Sequence, residues 1–259
     1  GPASSDPAVL ERMFRAGVDV VRLNFSHGSA EDHIRRAELV RETCRTTGRT
    51  VAIMADLQGP KIRIGRFQQG KIVLARGDEF TLDAERETGD QDGVGLDYKE
   101  LPQDVRPGDT LLLDDGRIVF EVIEVAGTRV RCKVIHGGEL SNNKGINRKG
   151  GGLTAPALTA KDMEDIRTAA KMRVDYVAVS FPKSSADMYM ARQLLRAAGS
   201  NAFLVAKIER AEAVATEALA DIMSSSDGIM VARGDLAVED RKSTRLNSSH
   251  TDISRMPSS

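Results

Sequence analysis

The chain has 259 residues, enough for one large or two modest domains with a substantial core. It carries 37 Lys and Arg against 38 Asp and Glu, a net charge of −1 with the basic residues scattered, which gives no basis for a nucleic-acid or membrane partner. The two cysteines, Cys44 and Cys132, form no metal motif, no apolar run reaches transmembrane length, and the first residues do not read as a signal peptide; a reduced, cytoplasmic protein is expected.

Asp6-Pro7 can start a helix, with Val9, Leu10, Met13 and Phe14 at helical spacing and Gly17 as its stop. A strand from Val18 to Phe25 follows. In it Arg22 and Asn24, continued by Ser26, alternate with Val21, Leu23 and Phe25, so period two puts the polar groups on one face. Ser29 opens a second helix that Gly48 ends. A second apolar run, Thr50 to Ala55, leads into Asp56-Leu57-Gln58-Gly59-Pro60-Lys61-Ile62-Arg63.

From Phe67 to Gly152 the pattern changes to short strands and turns. Examples are Lys71 to Leu74, Glu79 to Leu82, Thr110 to Leu113, Ile118 to Val125 and Arg129 to Ile135, punctuated by turns such as Asp114-Asp115-Gly116. This reads as an all-β domain inserted into an α/β unit. Helix resumes from Asp162 to Met172, and three strands follow near 174–180, 203–208 and 228–232. The last of these close in charge: Lys207-Ile208-Glu209, and Gly234-Asp235. Polar residues at strand ends, with helices between, predict a partial (β/α)8 TIM-type barrel carrying a β lid. The expected divisions are 1–66 and 153–239 for the barrel and 67–152 for the lid. Residues 240–259, with six serines and no apolar periodicity, are expected to be a disordered tail.

Lys207 and Glu209, two apart on a strand, face one side. With Asp235 at the next strand end they make a layout for holding Mg²⁺ and an anionic oxygen together. Taken alone, two acids at strand ends are as often merely solvated. An arginine inside an apolar strand, such as Arg22, needs a partner. His33 and His136 read as structural or surface residues, and Cys44 as a helix residue without chemistry.

Six motifs in order resemble the pyruvate kinase family: Val20-Val-Arg-Leu-Asn-Phe-Ser-His-Gly28, Asp56-Leu-Gln-Gly-Pro-Lys-Ile-Arg63, Leu140-Ser-Asn-Asn-Lys-Gly-Ile-Asn147, Ala178-Val-Ser-Phe181, Val205-Ala-Lys-Ile-Glu209 and Ser226-Asp-Gly-Ile-Met-Val-Ala-Arg-Gly-Asp-Leu236. The wording around Asn142 to Thr159 is closest to a bacterial branch. The resemblance covers residues 1 to 239. It implies a barrel whose first strand lies before Gly1 and whose last two strands and C-terminal domain lie beyond Glu239, leaving five of eight strands here. Ala237 stands where the family usually has glycine. The segment from Asp240 resembles translated adapter read-through and is expected to be non-native.

The resemblance also implies roles. The reaction is phosphoryl transfer from phosphoenolpyruvate to ADP, giving pyruvate and ATP. Glu209 and Asp235 would hold Mg²⁺ or Mn²⁺. Lys207 and Arg22 would be catalytic and bind substrate, with the Ala232-Arg233-Gly234-Asp235 turn receiving the substrate carboxylate. Asn24, His27, Arg63 and Lys144 match nucleotide contacts. Asn24, Ser26, Asp56 and Leu57 match the K⁺ site of potassium-dependent members. Lys61 stands where those members carry glutamate, so K⁺ is expected not to be required. A full-length parent would be a homotetramer, and this chain by itself is expected to be inactive and prone to aggregate. Two other readings stay open: a Mg²⁺-dependent barrel aldolase or lyase acting on a pyruvate enolate, and a piece without catalysis.

Overall fold

The computed structural model describes residues 2–210, 212–234, 236 and 253–255. The first barrel segment comprises α1 (Pro7–Arg15), β1 (Val20–Asn24), α2 (Ala30–Thr47) and β2 (Ala52–Asp56). The lid runs β3 (Arg66–Phe67), β4 (Lys71–Leu74), β5 (Glu79–Asp83), β6 (Thr88–Gly89), β7 (Gly93–Gly95), α3 (Leu101–Asp104), β8 (Thr110–Leu113), β9 (Ile118–Ala126), β10 (Arg129–His136), β11 (Gly138–Ser141) and β12 (Ile146–Arg148). The barrel returns with α4 (Ala160–Lys171), β13 (Tyr176–Val179), α5 (Ser185–Ala197), β14 (Phe203–Ile208), α6 (Thr216–Ser224) and β15 (Gly228–Val231), followed by β16 (Ile253–Arg255).

Helix starts follow their caps. The Asp6 carboxylate accepts from the N–H groups of Ala8 and Val9 at 2.9 and 3.0 Å, and Pro7 occupies the first helical position. Ser29 and Asp32 cap α2 reciprocally, as Thr159 and Asp162 cap α4. The second box corrects the expected start of α4. Asp162 is not the first residue but the third, because the Thr159 hydroxyl captures its N–H and starts the helix earlier.

Strands β1, β2, β13, β14 and β15 pair in parallel in that order, and β16 lies antiparallel on β15. Five parallel strands with helices outside make a partial (β/α) barrel. Both sheet faces are covered, which explains the near-continuous apolar runs. Outward residues such as Phe25, Ile53, Val177, Leu204 and Ile208 join Phe14, Val40, Ile166, Leu195 and Ile222 of the helices in the main core. The inward positions Met54, Ala178, Val205 and Met230 form a separate small cluster. Strand β16 occupies part of the exposed edge of β15, whose unpaired backbone groups favour any added strand. The rest of the expected tail, with Ala237 and Glu239, lies outside the described residues.

In the lid, β12-β8-β9-β10-β5-β7 form one sheet. Strand β10 alternates Val130, Cys132 and Val134 inward with Arg129, Arg131 and Lys133 outward. Phe80 packs on Phe120 with ring centroids 5.5 Å apart. Burial pushes the Cys132 thiol up to about 12, which leaves it inert. The lid core also draws in Ile62 and Ile64 upstream and Leu153 and Ala155 downstream. The outgoing chain is clamped against the start of the last lid strand: Arg63 bridges Gly145, and the Ile146 N–H donates to the Ile62 carbonyl at 3.0 Å. No described helix is long and apolar enough to cross a membrane.

His33, buried on α2, stacks on Phe25 with ring centroids 4.1 Å apart. Burial, and then the Arg36 guanidinium, push it below the ordinary value of 6.5, outweighing the pull of Asp165. Folding therefore lowers its proton affinity. Its stabilising contribution is complete above about pH 6.5 and declines as pH falls from there towards the folded value. His33→Phe keeps the stack and should flatten the fall in melting temperature between pH 7 and 5 relative to the unsubstituted chain. Equal slopes for the two would refute the assignment.

Candidate active site

Among the described residues, Asn24, Asp56, Lys207 and Glu209 stand at or near the C-terminal ends of the parallel strands, the end where barrels place their chemistry, with Arg22 two residues below Asn24 on the same face. Register brings them together: Asn24 pairs with Asp56, Asp56 with Ala178, and Lys207 with Met230. The inward parity that carries Met54, Ala178 and Val205 continues upward into Asp56, Ser180, Lys207 and Glu209. The barrel interior is thus apolar below and ionic at its mouth.

Lys207 is the centre of this layer. Its ammonium lies 2.9 Å from Glu209 Oε1 and 3.1 Å from Asp56 Oδ1, and donates to Ser180 Oγ at 2.9 Å. Asp56 and Glu209 are each 1 % exposed and Lys207 8 %. The Asp56 contact is ionic; Oδ1 accepts no hydrogen bond of proper angle. Burial alone would drive the ammonium down, but Glu209 and Asp56 together hold it above the ordinary lysine value. Asp56 Oδ2 takes the Arg22 fork, at 2.6 Å from Nε and 2.5 Å from Nη2. The Arg22 side chain remains half-exposed, so its outer edge can receive an anion. Two cations and two carboxylates cancel. Removing one member of such a buried set typically costs about 3–5 kcal/mol.

The surrounding loops are pinned. The Phe181 N–H donates to Glu209 Oε2 at 3.0 Å, with Phe181 at a φ of +56°, a strained backbone for an aromatic residue. Ser180 Oγ donates to the Leu57 carbonyl at 2.6 Å. The Gly59 N–H donates to Asp162 Oδ1 at 3.0 Å. A Cβ at Gly59 would lie 2.7 Å from Ser180 Cβ, so only glycine fits that loop.

Of the residues expected to make the K⁺ site, Asn24 Oδ1 accepts the Ser26 N–H at 3.0 Å and the Leu57 carbonyl is occupied by Ser180. Among the described contacts, the cations on Asp56 are Arg22 and Lys207; Lys61 instead lines the cleft under the lid with Phe181, Arg210 and Asn147. Arg63 and Lys144 come side by side where the lid joins: the Ile64 N–H donates to the Lys144 carbonyl at 2.9 Å. Arg63 Nη1 donates to the Asn143 carbonyl at 3.1 Å, and Lys144 pairs with Asp114 at 2.7 Å. His27 is exposed beyond β1. Ala232, Arg233 and Gly234 follow β15 at the same end, where the Leu236 N–H closes a helical turn on the Ala232 carbonyl at 3.0 Å. Asp235 lies outside the described residues.

No group of three or more metal-ligating side chains occurs among the described residues. Mg²⁺ is commonly held through only one or two carboxylates, with substrate oxygens and water completing its shell. Glu209 supplies one buried carboxylate of the right hardness, so the residues fit the ion. Sequence reasoning gave no role to Ser180, though its parity with Ala178 signals the inward face. Asp162 reads from sequence only as the start of a helix, and Arg210 carries no sequence signal at all.

Residues 1–249 match the family model described as pyruvate kinase, barrel domain. Over 242 residues, covering 92 % of this chain, it is 59 % identical to the pyruvate kinase of Haemophilus influenzae and 57 % identical to pyruvate kinase II of Salmonella typhimurium, covering 51 % and 50 % of those proteins. It is 45 % identical over 239 residues to the pyruvate kinase of Corynebacterium efficiens. The chain belongs to the pyruvate kinase family, and it spans about half the length of the curated relatives it matches.

Glu209→Gln would remove the nearer countercharge and leave burial less opposed at Lys207. The amine should then lose its proton at lower pH and become more reactive to an acylating reagent near pH 9. Peptide mapping of the labelled protein reads this out; unchanged labelling of Lys207 would show that Glu209 does not hold its charge.

Proposed function

We propose that this pyruvate kinase family chain carries the phosphoryl-transfer site for phosphoenolpyruvate and ADP. The observation that supports the reading best is the buried Asp56–Lys207–Glu209 set with the half-exposed Arg22 fork beside it. Phosphoryl transfer asks the protein for positioning and charge neutralisation rather than covalent chemistry. Lys207 stays protonated and is fixed from three sides, so it can meet charge growing on the enolate oxygen without reorganising. Arg22, steered by Asp56, offers guanidinium N–H groups to phosphoryl oxygens. Glu209, with Asp235, would hold Mg²⁺, which when bound supplies Lewis-acid stabilisation of oxygen charge. Backbone N–H groups of the turn from Ala232 to Gly234 would take the substrate carboxylate. Arg63, Lys144, Asn24 and His27 would meet the nucleotide from the lid side and the β1 end.

An aldolase or lyase acting on an enolate would share the carboxylates but leave Arg63, Lys144 and the lid without a task. Transfer dependent on ADP is therefore the discriminating assay, run on this chain and on a protein carrying it at the length of its relatives. Lys207→Met in the active form should lose roughly 10²–10³ in rate, the usual scale for one preorganised charge. Lys207→Arg checks that the loss is not unfolding. Near-normal turnover in Lys207→Met would sink the assignment.

The same reading holds that potassium is not required. The Asp56 carboxylate already meets two side-chain cations, and Lys61 adds a further positive charge to the adjoining cleft. Activity in potassium-free buffer should be unaffected by KCl beyond a tetramethylammonium control. Lys61→Glu should acquire stimulation by KCl, and its failure to do so would remove Lys61 from the explanation.

A further inference from the structure

Resting on the metal role given to Glu209 above, we propose that Arg210 is a positioning residue that couples the lid's return linker to the Glu209 carboxylate, so that lid angle sets the geometry of the metal-binding oxygens. The linker from Arg148 to Ala155 contains Gly150, Gly151 and Gly152, all at positive φ (+83°, +79° and +85°). Three successive left-handed residues form a segment that rotates at low cost. Gly151 and Gly152 also run so close to the Glu212 carboxylate and the Arg148 guanidinium that a Cβ at either would have to displace those side-chain ends.

The barrel grips this segment at successive points. Glu212 accepts the Gly152 N–H, Arg210 Nη1 donates to the Leu153 carbonyl at 3.1 Å, and Lys183 Nζ donates to the Ala155 carbonyl at 3.1 Å. Arg210 is the member that reaches further. Its guanidinium lies 5.8 Å from the centroid of Phe181, whose N–H donates to Glu209 Oε2 at 3.0 Å. The path is therefore Leu153 carbonyl, Arg210, Phe181, Glu209, so that Arg210 and Glu209, neighbours in sequence, are joined a second time through Phe181 beyond the end of β13.

Arg210 is 5 % exposed, its Nε has no hydrogen-bond partner, and no carboxylate pairs with it among the described residues. A buried cation without an anion is costly. Among the described residues it is held by a carbonyl dipole and a ring face, so linker rotation is transmitted to Phe181 and its bond to Glu209.

The test uses this chain, with Mn²⁺ as the probe. Free Mn²⁺ is titrated by electron paramagnetic resonance, and amide hydrogen exchange is read over residues 149–155. Arg210→Gln should speed exchange there at least tenfold and weaken Mn²⁺ about five- to tenfold, with Arg210→Lys intermediate. Glu212→Gln loosens the linker while leaving Arg210, Phe181 and Glu209 in place. It should shift both readouts in the same direction, which a purely structural role for Arg210 would not produce. If Arg210→Gln does not fold, the Lys and Glu212 variants carry the test. Faster linker exchange with unchanged Mn²⁺ affinity in all of them overturns the coupling alone. A wild-type chain that binds no Mn²⁺, while Glu209→Ala behaves identically, overturns the metal role of Glu209 and the coupling with it.

Discussion

The mouth of this barrel depends on one buried ammonium. Lys207 stands between Asp56 and Glu209, two carboxylates taken almost wholly out of water. Two carboxylates taken out of water are costly without countercharge. The lysine between them supplies it, and Arg22 closes the far side of Asp56. Everything that fixes those three strand ends relative to one another therefore serves the site. The parallel register of β1, β2, β13 and β14 sets the heights, and the outward apolar residues against the helices hold the curvature. The hydrogen bonds of Ser180, Phe181 and Gly59 remove what slack the loops retain.

Most of this was legible in the sequence because a strand's period is two. The alternation of Arg22 and Asn24 with Val21 and Leu23, and the spacing of Lys207 and Glu209, predict shared faces, and the structure places those side chains inward together. Helix starts were legible where a capping residue precedes an apolar run, as at Asp6 and Ser29. The start of α4 was misplaced because Asp162 resembles a first residue while the Thr159 hydroxyl has already begun the turn. The short strands β11 and β12 carry little alternation of their own. They exist through pairing with β4 and β8, partners that sequence distance hides.

What could not be read were bonds between loops. Asp162 holds Gly59, Arg210 holds Leu153, and Lys183 holds Ala155. Each joins a side chain to a backbone atom far away in the chain, and a backbone atom has no residue type to give it away. The partners of Asp56 were hidden for a related reason. Charge near a carboxylate in sequence says little about charge near it in space, and the described partners of Asp56 come from β1 and β14.

The crossing between barrel and lid has an architectural consequence. Outgoing residue Arg63 and returning residue Gly145 lie opposite each other in a bridge, and Ile62 and Ile146 share a backbone hydrogen bond. The inserted sheet has its own aromatic and aliphatic core, into which the outgoing Ile62 and Ile64 and the returning Leu153 and Ala155 also pack. A module attached in this way makes small demands on its host. It can lengthen, shorten or be exchanged as a unit while the barrel strands keep their pairing, because among the described residues no lid strand pairs with a barrel strand. The barrel fixes where charge is held, and the inserted sheet is the part that can vary in size and surface without unsettling it.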